Sequence, residues 1–216
     1  MKWKQVIPGV FEGVPGGQEG DEELDRLIRM SNISVGTIKT HRLEAWKHRG
    51  KESWWPEIQR YAECNYSHPF VTLLGTVGTG KTHIALAVGW SWIGCGKTVL
   101  YYQVEDLLDA LRSGYSSWQR GDPEGYSMIL HFAENVGLLI LDDLGAQDEK
   151  VWAATKLDQI INSRYICRKP LIVTTNMGLD KLPDRIADRL SEGMLVQLTG
   201  KSFRNQKKQR ENEAKQ

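Results

Sequence analysis

A glycine-rich loop between a predicted strand and a predicted helix restricts the fold of this 216-residue sequence more than any other feature. The loop reads GTVGTGKT from Gly75 to Thr82 and matches the pattern GxxxxGK[ST]. The apolar run Phe70 to Leu74 predicts a strand before it, and Lys81 to Ile93 predicts a helix after it. Glycines allow close contact with phosphate oxygens, and the N–H groups of the helix N-terminus face the anion. The segment therefore predicts a phosphate-binding P-loop.

The loop predicts ATP as the ligand and Mg²⁺ as its metal ion. Lys81 is expected to reach the β- and γ-phosphates, and the Thr82 hydroxyl to bind Mg²⁺. The main chain that would surround the phosphates belongs to Gly75, Thr76, Val77, Gly78, Thr79 and Gly80. A chance match in a glycine-rich turn is the alternative, and a second motif argues against it.

That second motif is an apolar strand that ends in two acids, LLILDD from Leu138 to Asp143. Strand ends in a parallel sheet lie at the same edge as the P-loop, so Asp142 is expected to hold Mg²⁺, directly or through water. Asp143 is expected to orient or deprotonate the attacking water. Capping of the next helix is the alternative role for either acid.

Three further polar residues are candidates for the same chemistry. Asn176 follows the apolar strand LIVTT, where it either positions water near the γ-phosphate or closes a turn. Arg185 and Arg189 are four residues apart, so they share one face of a predicted helix. That face either supplies an arginine finger to a neighbouring subunit or forms surface ion pairs.

Apolar strands alternate with helices from Pro69 onward, which predicts an α/β fold with a parallel sheet covered on both faces. The predicted strands are Phe70–Leu74, Thr98–Gln103, Gly137–Leu141, Leu171–Thr175 and Met194–Leu198. The predicted helices are Lys81–Ile93, Glu105–Arg112, Tyr126–Glu134, Lys150–Tyr165 and Leu179–Leu190. Residues 66–200 are thus predicted to form one core.

Residues 1–65 are predicted to form an arm and a small helical extension. Residues 1 to about 20 are rich in glycine and proline, which predicts a loop or a loose arm. Helices are expected at Asp21–Met30, Thr37–Arg49 and Trp54–Glu63. The tryptophans of this extension either pack on the core or contact bases or a partner; they are Trp46, Trp54 and Trp55. Residues 201–216 carry six basic and two acidic side chains and form a basic polar tail, either frayed or in contact with DNA phosphates.

Composition excludes several classes of protein. The net charge of +1 provides no global field for nucleic acid, so any such contact would be local. The three cysteines form no CxxC pair, which argues against a zinc site or a disulfide framework. No signal peptide and no apolar run long enough to span a bilayer is recognised, so we expect a cytoplasmic protein without membrane contact.

The ordered segments GTVGTGKTH, LLILDDLG, LIVTTN, DRIADRL and GKSFR resemble the AAA+ ATPases of the DnaC/DnaI helicase-loader group, to which the transposition helper IstB is broadly related. The resemblance covers about residues 65 to 205. It implies a three-layer αβα sheet of the ASCE type, with strand order 5-1-4-3-2 and ATP bound between head-to-tail subunits.

The resemblance also implies roles by motif. Lys81 and Thr82 match Walker A, Asp142 and Asp143 match Walker B, and Asn176 matches sensor 1. Arg189 is the first candidate for the arginine finger and Arg185 the second, while Arg204 matches an arginine that senses nucleotide. Arg164 matches a position often occupied by arginine in the group, and no role is assigned to it.

Two departures from the AAA+ pattern shape the expected activity. Only about 18 residues follow Leu198, so we expect no C-terminal lid domain. Position 143 holds Asp, whereas vigorous AAA+ ATPases have Glu, and the shorter side chain predicts slow hydrolysis.

The sequence leaves three functions open. The first is a loader that binds single-stranded DNA and a replicative hexameric helicase, with Arg112 and Arg120 as DNA-contact candidates or simply as parts of a solvated face. The second is an IstB-like transposition helper, and the third is a nucleotide-dependent adaptor with negligible turnover.

Overall fold

The computed structural model describes residues 2–7, 10–14, 20–37, 40–43, 46, 52–119, 124–145, 151–200 and 202–203. Its strands are β1 (Lys2–Ile7), β2 (Val10–Val14), β3 (Phe70–Leu74), β4 (Val99–Gln103), β5 (Leu138–Leu144), β6 (Leu171–Thr175) and β7 (Met194–Gln197). Its helices are α1 (Gly20–Met30), α2 (Trp55–Ala62), α3 (Lys81–Gly94), α4 (Val104–Gln119), α5 (Glu124–Asn135), α6 (Val151–Ile166) and α7 (Asp184–Ser191).

Strands β3 to β7 form one five-stranded parallel sheet in the order β4-β5-β6-β3-β7. Counted from β3 as the first strand of the core, this order is the expected 5-1-4-3-2. Successive side chains of a strand point to opposite faces of a sheet. Accordingly, Leu138 and Ile140 pack in a cluster with α1, α2 and α3, while Leu139 and Leu141 pack in a second cluster with α4 to α7. The predicted three-layer αβα fold is confirmed, and no helical lid follows β7 among the described residues.

The N-terminal arm differs from its prediction. Strands β1 and β2 pair in an antiparallel hairpin, with Ile7 opposite Val10, where the sequence predicts a loop. The prediction gave the glycines and prolines of this segment too much weight, because two short runs rich in β-branched residues on either side of a Pro-Gly dipeptide are also a hairpin signal. The predicted helix Thr37–Arg49 is also wrong in the residues described there. A 3₁₀ turn ends at Thr37, Leu43 is also 3₁₀, and residues 40–42 and 46 are not helical.

The helix predicted over Leu179–Leu190 is split in two. A 3₁₀ turn covers Leu179–Lys181, Leu182 is extended with φ −90° and ψ 158°, and α7 begins at Asp184. The ring of Pro183 disfavours a helical conformation at the preceding residue, which explains the break. No helix among the described residues has the length and apolarity needed to cross a membrane.

Arg164, to which the sequence assigned no function, anchors α6 within the fold. Its side chain is fully buried, and its guanidinium donates hydrogen bonds to the carbonyl oxygens of Ala133 (2.9 Å), Val136 (2.9 Å) and Pro170 (2.5 Å). Burial lowers the pKa of this group to about 10. The arginine thereby joins the end of α5, the start of β5 and the start of β6, which fixes the strands that carry the acids and Asn176.

Candidate functional site

The P-loop joins β3 to α3, as its sequence context predicts. Gly78 and Gly80 have φ angles of 82° and 98°, in the left-handed region that favours glycine. A Cβ atom would overlap Ser202 at the first position and the Trp46 ring at the second. The loop can therefore form a close backbone cradle only with glycine at these two positions, which is the shape that phosphate oxygens require.

Lys81 crosses this cradle with its ammonium group. The Nζ atom donates hydrogen bonds to the Gly75 oxygen (2.7 Å), the Thr76 oxygen (3.0 Å) and Asn176 Oδ1 (2.5 Å). The residue is only 7% exposed. A shielded cation at the mouth of a loop of N–H groups suits the β- and γ-phosphates of a nucleotide.

Asp142 lies beside the first residues of α3 and fits the role of a magnesium ligand. Thr82 Oγ1 donates to its carboxylate at 3.0 Å, so the two predicted metal ligands are adjacent. Asp142 is 4% exposed. A hydroxyl and a carboxylate beside a phosphate site are the protein ligands that Mg²⁺ requires in P-loop proteins. No cluster of three His, Cys, Asp or Glu side chains occurs among the described residues, so a metal site made of protein ligands alone is not seen there.

Asp143 points away from its neighbour because the strand is irregular at this point. The register between β5 and β6 shifts between Leu141 and Leu144, and Asp143 has a positive φ of 62°. Its side chain is exposed and accepts a hydrogen bond from Asn176 Nδ2 at 2.6 Å. One carboxylate is thereby buried at the predicted metal position, and the next is presented to solvent, where water can reach it.

Asn176 joins the two halves of the site. It accepts from Lys81 through Oδ1 and donates to Asp143 through Nδ2. The structure therefore brings together Lys81, Thr82, Asp142, Asp143 and Asn176 at the carboxyl edge of the sheet, as the sequence predicts.

Two residues of this site were missed by sequence reasoning. Thr174 Oγ1 donates to Asp142 Oδ1 (2.6 Å) and accepts from the Asp143 N–H (2.9 Å), so it fixes both acids. The register that pairs Leu141 with Val173 in the adjacent strands places Thr174 beside Asp142, and no motif in the sequence gives that register. The Tyr101 hydroxyl also donates to Asp142 Oδ2 (2.9 Å), and no motif marks that residue.

Burial shifts the pKa of two groups near the site. Burial, reinforced by the Asp142 charge, raises the pKa of Tyr101 well above its usual range, so its hydroxyl stays a donor to Asp142. Burial lowers the pKa of His83 on α3, which favours the neutral imidazole beside the P-loop.

The two arginines of α7 differ in their surroundings. Arg189 is 18% exposed and donates to Asp158 Oδ1 (2.9 Å) and Asn162 Oδ1 (2.6 Å) on α6 of the same chain. Arg185 is 80% exposed and lies 3.6 Å from Asp158. Within the described part of the chain, both arginines thus contact α6 and lie apart from the P-loop site. An arginine finger acts on a neighbouring copy and would not need to touch the site of its own chain.

The remaining predicted contacts divide between described and undescribed residues. Arg204 and Arg120 lie outside the residues that the structure describes. The segment just before Arg204 lies against the P-loop, because the Phe203 N–H donates to the Gly78 oxygen at 2.9 Å. Arg112 pairs with Asp109 and lies 5.2 Å from the centre of the Trp152 ring, on the surface of α4.

Comparisons with known proteins identify the family and the fold. A model of the family described as IstB-like ATP binding protein matches residues 23–211. The replicative helicase loader DnaC of Escherichia coli strain K12 is 28% identical over 120 residues, which are 56% of this chain and 47% of DnaC. The chain thus spans about half the length of that relative.

Solved structures show the same fold. The crystal structure of the DnaC helicase loader has a TM-score of 0.62 at 22% identity and covers 74% of this chain and 97% of its own. The replication initiator DnaA bound to AMPPCP and single-stranded DNA has a TM-score of 0.66 at 23% identity, over 75% of this chain and 50% of its own. The resemblance to the DnaC group is confirmed in sequence and in fold, and this chain belongs to the family of IstB-like ATP-binding proteins.

Proposed function

We propose that this chain binds ATP with Mg²⁺, hydrolyses it slowly, and acts in the cytoplasm as a helicase loader on single-stranded DNA during replication. The observation that carries the proposal is a set of hydrogen bonds at the carboxyl edge of the sheet. Lys81 donates to Asn176, Asn176 donates to Asp143, and Thr82 donates to Asp142. These are the parts of a nucleoside triphosphate site, arranged side by side in one chain.

The chain's own residues divide the chemistry. Lys81 and the loop N–H groups bind the phosphates, while Thr82 and Asp142 would hold the metal ion, which would neutralise phosphate charge when bound. Asp143 aligns the attacking water and accepts its proton, and Asn176 holds the Asp143 carboxylate in place. The short Asp143 side chain is the reason for slow turnover.

The site would be completed by a second subunit. Arg189, or else Arg185, reaches the ATP of the next copy in a head-to-tail assembly, and Arg204 senses the nucleotide in its own chain. A heterologous contact of this kind gives a ring or an open spiral.

The partner is inferred from relatives. The Escherichia coli relative is a replicative helicase loader, and the DnaA structure contains single-stranded DNA, so a hexameric replicative helicase and single-stranded DNA are the proposed partners. The proposed DNA contacts are Arg112, Arg120 and the basic side chains within residues 201–216.

The family description itself favours a second candidate, a transposition helper of the IstB type. The short Asp143 side chain favours a third, a nucleotide-dependent adaptor with negligible turnover.

Affinity capture separates these functions. Tagged protein, with ATP and Mg²⁺, is recovered from a lysate of the organism that encodes it, and bound proteins are identified by mass spectrometry. Recovery of the hexameric replicative helicase, lost with Lys81→Ala or without ATP, is expected for a loader. Recovery of a transposase supports the helper, and retained ATP binding without DNA- or partner-stimulated hydrolysis supports the adaptor.

A further inference from the structure

Three hydroxyl groups donate to the Asp142 carboxylate, and two of them lie outside the motifs of the sequence. Thr82 Oγ1, from the P-loop, donates to both carboxylate oxygens at 3.0 Å. Thr174 Oγ1 donates to Oδ1 at 2.6 Å, and the Tyr101 hydroxyl donates to Oδ2 at 2.9 Å. Because both oxygens are bonded, the plane of the carboxylate is fixed.

These bonds use most of the acceptor capacity of Asp142. An ionised carboxylate has about four lone-pair positions, and three donors occupy this one, so about one position remains for a metal ion or for its water. The residue is 4% exposed, so little solvent competes for that position. The carboxylate therefore presents one acceptor site in one direction.

Backbone and ring contacts hold Tyr101 in place. The residue lies on β4, at the edge of the sheet, where its N–H donates to the Ser31 oxygen (2.8 Å) and its carbonyl oxygen accepts from Asn32 Nδ2 (2.9 Å). Asn32 has a φ of 57°, a left-handed conformation that asparagine adopts just after a helix, here α1. The Tyr101 ring packs in the cluster with α1, α2 and α3. The end of α1 and the core thus fix the residue that orients Asp142.

A fixed carboxylate with one open position suits a small cation of strict geometry. Mg²⁺ requires nearly ideal octahedral coordination at about 2.0–2.1 Å, whereas Ca²⁺ accepts about six to eight oxygen ligands at about 2.3–2.6 Å and takes carboxylates through one or both oxygens. Binding through both oxygens of Asp142 would compete with the hydrogen bonds from Tyr101 and Thr174. The number and the flexibility of the ligands decide between these two cations, so the hydroxyl groups bear on the choice.

We propose that Tyr101 is a positioning residue that makes the metal site of this chain selective for Mg²⁺ over Ca²⁺, because its hydroxyl holds the Asp142 carboxylate in one orientation. Without that hydroxyl, a further lone-pair position on Oδ2 becomes free and the carboxylate can turn. The site then loses the fixed ligand that suits Mg²⁺ and gains a mobile one that suits Ca²⁺. This assignment rests on the proposed binding of ATP and Mg²⁺ at the P-loop.

Tyr101→Phe tests the proposal, because phenylalanine keeps the ring and removes only the hydroxyl. The full chain is titrated calorimetrically with AMPPCP, an ATP analogue that resists hydrolysis, in excess Mg²⁺, in excess Ca²⁺ and in EDTA. The wild-type protein is expected to bind AMPPCP at least about tenfold more tightly with Mg²⁺ than with Ca²⁺. Loss of a group that orients a metal ligand costs about 10- to 100-fold in metal affinity, so the preference is expected to fall to about twofold or less in Tyr101→Phe.

The titration in EDTA separates positioning from a structural role. It reports binding by Lys81 and the loop without a metal ion, and it is expected to give the same affinity for the wild-type protein and for Tyr101→Phe. Tyr102→Phe is the matched control, because the ring of the next residue packs on the opposite face of the sheet, in the cluster with α4 to α7. That variant should keep the wild-type preference for Mg²⁺. Circular dichroism verifies that each variant is folded.

The outcomes separate this inference from the proposed function. An unchanged preference in Tyr101→Phe, or a wild-type protein that binds AMPPCP equally well with both cations, overturns the role of Tyr101 and leaves the P-loop assignment intact. Equal weakening of binding in Mg²⁺, Ca²⁺ and EDTA also overturns it, since the residue would then be structural. Failure of the folded wild-type protein to bind AMPPCP under all three conditions overturns the proposed function and this inference together.

Discussion

Two neighbouring aspartates lie in different surroundings at this site because the backbone turns between them. Asp142 continues the strand and is buried against Thr82 and Thr174, whereas Asp143 has φ 62° and faces solvent beside Asn176. Asp and Asn adopt this left-handed conformation more readily than longer side chains. The irregular strand therefore helps to explain why an aspartate is accommodated at position 143.

Asp143→Asn tests the proposed role of this carboxylate. Asparagine has the same shape and tolerates positive φ, so the fold and the affinity for ATP are expected to be retained. Loss of a general base lowers the rate by about 10²- to 10⁴-fold, so hydrolysis measured by phosphate release is expected to fall about a hundredfold. Hydrolysis at the wild-type rate in a folded Asp143→Asn protein would remove Asp143 from the mechanism.

The sequence predicted that Lys81, Thr82, Asp142, Asp143 and Asn176 lie together, because motif, strand and helix all agree at one edge of the sheet. The contacts of Thr174 and Tyr101 with Asp142 were not predictable in the same way. They depend on the register between strands that are far apart in the chain, and a single sequence carries little information on register.

Elements were predicted best where a continuous apolar run has clear boundaries. The five core strands and α3 appear within a few residues of their predicted bounds. The errors fall where local signals compete: glycine and proline predict a loop where β1 pairs with β2, and Pro183 breaks a helix that periodicity alone extends. Helix α4 continues to Gln119, beyond the predicted Arg112.

Arg164 joins three elements of the fold, a role that the sequence analysis did not assign to it. Its guanidinium donates hydrogen bonds to three backbone carbonyl oxygens, one near the end of α5, one just before β5 and one just before β6. A lysine ammonium cannot reproduce this planar fork, so Arg164→Lys is expected to lower the free energy of unfolding by about 3 kcal/mol.

Urea denaturation measures this change through the midpoint and slope of the transition. Arg168→Lys, on an exposed arginine four residues later, is the control and should stay within about 0.5 kcal/mol of the wild-type protein. Equal stability of Arg164→Lys and Arg168→Lys would contradict the anchoring role of Arg164.

At the scale of the whole molecule, an arginine finger would act at an active site shared between two copies of the chain. Arg189 is bonded to Asp158 and Asn162 within its own chain, so a simple loss of activity in Arg189→Ala would not distinguish a finger from a structural tie. Asp158→Ala removes the main ionic tie and keeps the arginine, which makes it the matched variant.

Mixing of two impaired variants tests directly whether the arginine acts on a neighbouring copy. Lys81→Ala and Arg189→Ala proteins are each expected to hydrolyse ATP at least about tenfold more slowly than the wild-type protein. Combined at high concentration with single-stranded DNA, they should regain part of the wild-type rate, because one copy supplies an intact P-loop and its neighbour an intact arginine. Asp158→Ala alone should remain active. No recovery with Arg189→Ala, but recovery with Arg185→Ala, would assign the finger to Arg185.

The central claim is that Lys81 and the loop around it bind the phosphates of ATP, and equilibrium titration with ATP and Mg²⁺ tests it most directly. We expect one nucleotide per chain and a loss of at least about 100-fold in affinity for Lys81→Ala, which corresponds to about 2.8 kcal/mol. Lys97→Ala, on an exposed lysine beyond α3, should bind as the wild-type protein does. Unchanged ATP affinity in a folded Lys81→Ala protein would contradict the account.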